Sequence, residues 1–596
     1  MVDRFTLSDL RGRRAWWLLE VEAFGQTIRL ATADLVIEES ATSASHHFTG
    51  ALPGTAFTDA VAFLQDRGEA GSLTVECVLP VDVPALLSAG HSLEGARATL
   101  ARWVEGTDYS TRRLALVGRV QDVETGAAEE PVAFTVAEHV WEASTLIPSS
   151  SQQVDGTTWP DSITSLVGEE MGLAYPIVFG QPGVTSAVNR GWVTGSQGVW
   201  ADHRKGVVSP SNFYKQLKLI IAGHRVTADR VMLSTDEKVS GERFVVKHTT
   251  DGLGQTVAYV DAYANEASTA WVVVDPDGVS AFGLGHGTQV DDSFQPSNAS
   301  LAATVEFKPV FVGWYAPAAA SPHVSGGMVG RSGQLVREAG DVLEELFAHL
   351  DRPLDRGRFA AAKPLLSAFK IDAFIDARVR PWDWFQANLR PLLPVSIVTG
   401  PSGLYPIVWR HDATATDAIA HLDVSIDPNI ERASRLIRTS DNIRNDFSLK
   451  YAYSVRTDQY FKTIRLGAGP YDNADPDTLV SLHCQLSQSR YRYADGSGRK
   501  VSEELESVCI YDDATAAAVL SWRAKAYALG QVHVDYVVPE NEWGWLERGV
   551  VVTLTDEDLH LTQRVAIVAE VQVDDSDTMG LRLLLLENPV RDGGGL

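Results

Sequence analysis

Cysteine is scarce: the 596 residues hold three, Cys77, Cys484 and Cys509, far apart and with no CxxC. An odd, scattered set gives no disulfide framework, so reduced thiols and assembly in a cytosol are expected. Positive charge is in deficit, with 51 Lys and Arg against 77 Asp and Glu and a net charge of −26. That argues against a protein that holds nucleic acid by neutralising phosphates. No apolar run approaches the roughly 18–20 residues that span a bilayer. The opening MVDRFTLSDLRGRRAWWLLEVEAFG carries Asp3, Asp9 and Glu20 around a very short apolar stretch and does not read as a signal peptide. GxSxG, HExxH and GxxxxGK[ST] are all missing, and no fixed short period repeats.

What is present is the composition of a folded, multidomain chain. Hydrophobic residues make up 45%, charged residues 21%, and mean hydropathy is −0.06. At roughly 100–200 residues per domain, three to five domains are expected. The 15 Trp supply large rigid surfaces suited to sheet faces and subunit contacts.

Alternation at period two dominates. AWWLLEVEAFGQTIRLATADLVIE (15–38) reads as two strands about a turn at Gly25-Gln26. SLTVECVLP (72–80) is a third, and RLALVGRVQDVETG (113–126) with PVAFTVAEHV (131–140) predicts a hairpin. Between them, 86–106 shows helical stretches. A polar Ser/Gln-rich connector fills 141–170. Turn-rich β sequence follows to about 315, with Asp-Gly steps as its turns. Helical spacing appears in 334–350, 358–375 and 381–394, and VSIVTGPSGLYPIVWR (395–410) predicts a second hairpin. DDATAAAVLSWRAKAYALG (512–530) has an acidic start and a terminal Gly, the expected signals of a helix. The strands 531–539, 549–556, 563–575 and 581–589 close the chain. The expected fold class is mainly β with minor α (α+β), multidomain. The expected units are an N-terminal domain 1–140, a linker 141–170, a β-rich middle domain 171–320, a helical/β connecting domain 321–430 and a C-terminal β-rich domain 431–596.

Candidate chemistry is sparse. His46-His47 lacks a nearby Cys or carboxylate, so a surface loop outranks a metal pair. Adjacent strand residues face opposite ways, so His483-Cys484 reads as core rather than as a thiol with its base. Cys509, in SVCIYDD, reads as strand. GLGHG (283–287) precedes no phosphate-binding helix and is a turn. TDEDLH (555–560) and VDDSDTMG (573–580) are acidic runs of a calcium-binding kind; the second resembles the first half of a calcium loop but lacks the closing glutamate and has Gly580 misplaced, so solvated turns are preferred. The Trp of PWDWF (381–385) and NEWGWL (541–546) are read as packing wedges between subunits ahead of sugar-stacking platforms. No catalytic, cofactor or metal residue is assigned.

Four passages, taken in order, resemble the tail-hub or tail-tip proteins of long-tailed phages and gene-transfer particles. They are RLALVGRVQDV…PVAFTVAEH (113–139), AYPIVFGQPG (174–183), GDVLEELFAHLDRPLD…LLSAFKID (340–372) and LSWRAKAYALGQVHVDYVVPENEWGWLERGVVVTLTD (520–556). The last carries most weight through its L-x-x-G-x-x-V-x-L-T order; Val550 departs from the acidic residue that follows this Gly in many members. The resemblance implies tail-tube-like β-barrel domains, a homotrimer continuing the tail tube, and a place in the virion after assembly in the host cytoplasm. It also implies tube, tape-measure and tip or fibre proteins as partners, with DNA passing through the lumen without specific binding. An acidic lumen would repel DNA, although an acidic soluble surface accounts for the charge equally well. No enzymatic role and no cofactor are expected. The alternatives are a cell-wall or glycan hydrolase, since 77 acids offer many carboxylate pairs, and a receptor-binding tail protein using 171–315.

Overall fold

In the computed structural model the described residues are most of 14–150, residues 174–180, separate strands between 199 and 307, most of 336–465 and most of 487–587. The chain is mainly β, as its alternating sequence predicts.

The N-terminal unit comprises β1 (Ala15–Ala23), β2 (Gln26–Ala31), β3 (Leu35–Glu39), β4 (Ala44–Phe48), β5 (Phe57–Ala60), β6 (Ser72–Cys77), α1 (Val83–Ser88), β7 (Arg97–Val104), β8 (Arg113–Glu124) and β9 (Val132–Glu138). Six strands form one sheet in the order β2-β1-β7-β8-β9-β6. Every one of the six contributes to a single apolar cluster that includes Trp17, Leu19, Ile28, Leu100, Val120 and Phe134, so the sheet curls round its core. The β1–β2 turn falls where Gly25 predicts it: Phe24 and Gly25 both have positive φ, 56° and 73°, the twist a tight hairpin needs. The β3–β4 hairpin covers part of the opposite face, where Ile37 and Phe48 meet Leu18, Trp103 and Tyr109.

One local expectation fails in this unit. Residues 97–104 form strand β7 rather than helix, paired along eight positions with β1. Alternate burial of Ala98 and Leu100 against the core outweighs the Ala- and Leu-rich composition, because tertiary partners override local propensity.

The middle region contributes β10 (Ile177–Phe179), β11 (Val199–Ser209), β12 (Asn212–Ala222), β13 (Ala228–Leu233), β14 (Lys247–Thr250), β15 (Thr256–Asn265), β16 (Trp271–Val273) and β17 (Ala303–Phe307). β11, β12, β15, β14 and β16 share one antiparallel sheet, and β13 pairs with β17.

The second half interleaves two units. It contains α2 (Ala339–Phe347), α3 (Arg356–Ala362), β18 (Ala373–Ile375), α4 (Pro381–Asn388), β19 (Val395–Gly400), β20 (Gly403–Val408), β21 (Ala420–Asp423), β22 (Glu431–Arg432), β23 (Ile437–Thr439), β24 (Asp446–Ser454), β25 (Gln459–Arg465), β26 (Ser502–Glu506), α5 (Asp513–Tyr527), β27 (Gln531–Pro539), α6 (Glu540–Trp543), β28 (Val551–Asp556), β29 (Leu561–Val573) and β30 (Thr578–Leu585). The helices α2 to α5 pack with β10, β18, β19, β20 and β24 to β26 in one cluster that runs from Ile147 to Ala526. α5 starts where the acidic signal predicts: the Asp512 carboxylate accepts from the Thr515 N–H at 2.8 Å.

The other unit is a second curled sheet, in the order β21-β28-β29-β30-β27-β22, with β23 also on β27. Its inward residues, among them Leu422, Val534, Tyr536, Leu554, Val568 and Leu583, make one core. The β19–β20 hairpin lies between the two units. Val395 and Leu404 join the helical core, while Val398, Tyr405 and Ile407 pack on Val551 and Ile567 outside the curled sheet.

Candidate functional site

The most developed contact between distant parts of the chain joins the two curled sheets. β29 is longer than its neighbour β28, which pairs with it from Leu561 to Ile567. The remaining edge of β29 is taken by β5 of the N-terminal unit, with Ala60 opposite Glu570 and Phe57 opposite Val573. An edge that would otherwise carry unpaired N–H and C=O groups is thereby satisfied by a strand some 500 residues away in sequence.

A second fastening lies beside it. Arg102 on β7 forms a bidentate pair with Glu540 at the start of α6: Nη2 donates to Oε2 at 2.8 Å and Nε to Oε1 at 3.3 Å. The side chains are 7% and 12% exposed. The Arg102 guanidinium also lies 4.8 Å from the ring centre of Trp17, its cross-strand neighbour. Trp17 locks the guanidinium's plane, and the carboxylate supplies the matching fork.

A buried polar cluster closes one end of the C-terminal sheet. Asp556 accepts from the Tyr536 hydroxyl at 2.8 Å and from Arg432 Nη1 at 3.1 Å, and it caps the Leu559 N–H at 3.2 Å. Burial, with the Asp556 hydrogen bond next, raises the Tyr536 phenol far above its usual range. The acidic run 555–560 is a solvated turn, as expected, with Glu557, Asp558 and His560 exposed; Asp556 alone is buried, as its arginine-clamped cap.

The other sequence candidates are dispersed. His46 stacks on Tyr109 with ring centres 3.7 Å apart and Nε2 3.4 Å from Glu39 Oε2, while His47 is exposed. Among the described residues no group of three His, Cys, Asp or Glu is arranged to hold a metal. Cys509 lies in a bend after β26 rather than in a strand, since its N–H turns back to the Ser507 hydroxyl at 3.0 Å. Burial, reinforced by Asp372, pushes its thiol up to about 12. His483, Cys484, residues 283–287 and residues 574–577 of VDDSDTMG lie outside the described residues. Trp382 is buried against Phe347 and Phe385, and Trp543 and Trp545 pack on the C-terminal core. All three pack against residues of this chain. Sequence reasoning missed Arg102 and Glu540: an isolated Arg in a strand and a Glu in ENEW carry no motif.

No protein-family model matches the chain, and no curated protein does. Among solved structures it is similar to the tail protein from Neisseria meningitidis MC58, at 9% identity over 95% of this chain and 96% of that one, with a TM-score of 0.31. It is similar to the 43 kDa tail protein of prophage MuSo2 from Shewanella oneidensis, at 8% identity over 96% and 98%, TM-score 0.31. A third is prophage tail protein gp18 from Listeria monocytogenes EGD-e, at 7% identity over 69% and 94%, TM-score 0.23. These TM-scores lie below that of a shared fold, so the architecture described above stands on the chain's own residues.

Proposed function

We propose that the protein is a structural, non-enzymatic component of a phage-type tail, acting as a hub at the tail tip. The observation that carries this reading is the pairing of two curled β-sheet units within one chain, fastened by β5 on β29 and by Arg102–Glu540. A lumen lined by barrels needs about six of them around an axis, and three chains with two each supply that number. Cyclic symmetry then closes the ring without free ends. The ordered passages 113–139, 174–183, 340–372 and 520–556 agree with this reading. In it, a homotrimer continues the tube, meets the tube and tape-measure proteins above, carries tip or fibre proteins below, and lets DNA pass without specific binding. Assembly takes place in the host cytoplasm and the product is part of the virion. The two curled units serve as tube-like domains, and the helical unit joins them. Cryo-EM of particles with this chain labelled tests the reading: density at the tail tip is expected, and density on the capsid or along the shaft overturns it.

A further inference from the structure

The helical unit and the C-terminal curled sheet meet at a small cleft. Lys525 near the end of α5, Gly530 and Gln531 leading into β27, Glu587 just after β30 and His411 after β20 all line it. Boundaries between packed units are common places for a ligand.

The cleft gathers positive charge in a chain whose net charge is −26. Glu587 accepts from Arg438 Nη1 and Nη2 at 2.9 and 2.7 Å and from Arg490 Nη1 at 2.9 Å. Arg564 Nη2 lies 3.9 Å from the same carboxylate. Arg438 also donates to the Gly530 carbonyl at 3.4 Å, which sets it against the cleft wall. The Arg438 hydrogen bond, ahead of the other causes, holds the Glu587 carboxyl below its usual range, so Glu587 is ionised and committed to the arginines. Lys525 adds a further cation. It is half-buried and forms no ion pair among the described residues. Lys525 alone among the described charges bears on His411, and with burial it keeps that ring neutral. Four cations against one carboxylate leave a local excess of positive charge. Among the described residues Arg490 commits only Nη1 to Glu587, so its Nη2 and Nε stay open to a further oxygen.

We propose that this cleft binds a phosphate group, with Lys525 as its principal contact and Arg490 as a second donor at the rim. A tetrahedral, multiply charged oxyanion suits the site better than a planar carboxylate, because the donors come from separate elements and not from one flat fork. The phosphate is either free orthophosphate or a backbone phosphate of nucleic acid. The site stands independently of the hub reading, since particle imaging bears on the hub alone.

Isothermal titration calorimetry of the full chain with inorganic phosphate, at fixed ionic strength, tests the site. Saturable binding at millimolar phosphate or below is expected. Lys525→Gln should weaken it roughly tenfold, the worth of one charged hydrogen bond, and Lys525→Arg should retain it. Arg490→Gln, on an exposed side chain, should weaken binding as well, with circular dichroism unchanged. Short single-stranded DNA separates the two sources. DNA binding that phosphate displaces, with a salt dependence reduced by about one contact in Lys525→Gln, identifies a backbone phosphate. Phosphate binding without DNA binding identifies the free ion. Absence of binding to both probes overturns the proposal, and so does equal affinity in wild type, Lys525→Gln and Arg490→Gln. An acidic peptide that binds more tightly than phosphate would also overturn it, by assigning the cleft to a protein carboxylate.

Discussion

Replacing Arg102 by Ala should loosen the joint between the two curled sheets without unfolding either. The substitution removes both hydrogen bonds to Glu540 and leaves a carboxylate that is only 12% exposed. Breaking a buried pair from one side typically costs about 3–5 kcal/mol. Glu540 keeps some access to water, so the low end, about 3 kcal/mol, applies here. Each ~1.4 kcal/mol is tenfold, so opening of the joint should become roughly a hundred times more frequent. Hydrogen exchange reads this directly. Amides of β5, and those of Glu570–Val573 that face β5 rather than β30, should lose protection by about that factor, because among the described residues β5 pairs only with β29, across the joint. Amides of the β8–β9 ladder, held within the N-terminal core, should not change. Replacing both residues, Arg102→Met with Glu540→Met, should be near neutral, since apolar pairs of similar volume commonly match buried ion pairs. Protection of β5 within twofold of wild type in Arg102→Ala would refute the reasoning. Equal loss across β8–β9 would also refute it, by showing that Arg102 supports its own sheet and not the joint.

Asp372 has no exposed surface and receives both prongs of Arg337, at 2.7 and 2.8 Å. Asp372→Asn should destabilise the helical unit by roughly 3–5 kcal/mol, read as earlier proteolysis around 336–410, and an unchanged proteolysis profile would count against the pair's importance. His411, packed beside Lys525, is pushed down to about 3 by burial first and by the Lys525 charge second. A base whose folded pKa is depressed leaves stability intact above its ordinary 6.5 and costs stability as pH falls from there towards about 3. Chemical denaturation between those pH values should show a decline that His411→Asn reduces, and identical slopes would remove His411 from the account. The thiols of Cys77 and Cys509, both buried and pushed up to about 11 and about 12, should resist alkylation at pH 8 until the protein unfolds. Site-resolved mass spectrometry would detect any native-state labelling.

The sequence by itself determined the local elements. Alternation defined β1, β8, β9 and β27 to β30, because a sheet with one buried face writes that face into every second residue. Asp512 set the start of α5, and Gly25 set the β1–β2 turn, since both act through their nearest neighbours. Tertiary structure decided everything that depends on distant partners. It made β7 a strand despite a helix-favouring composition, by pairing it with β1. It assigned β21 to β23 to the sheet of residues 531–585 and β24 to β26 to the core of residues 336–410, an interleaving that no linear change of composition marks. It also brought β5 to β29 and Arg102 to Glu540. Pairing energies of that kind belong to two segments at once, so neither segment's sequence contains them alone.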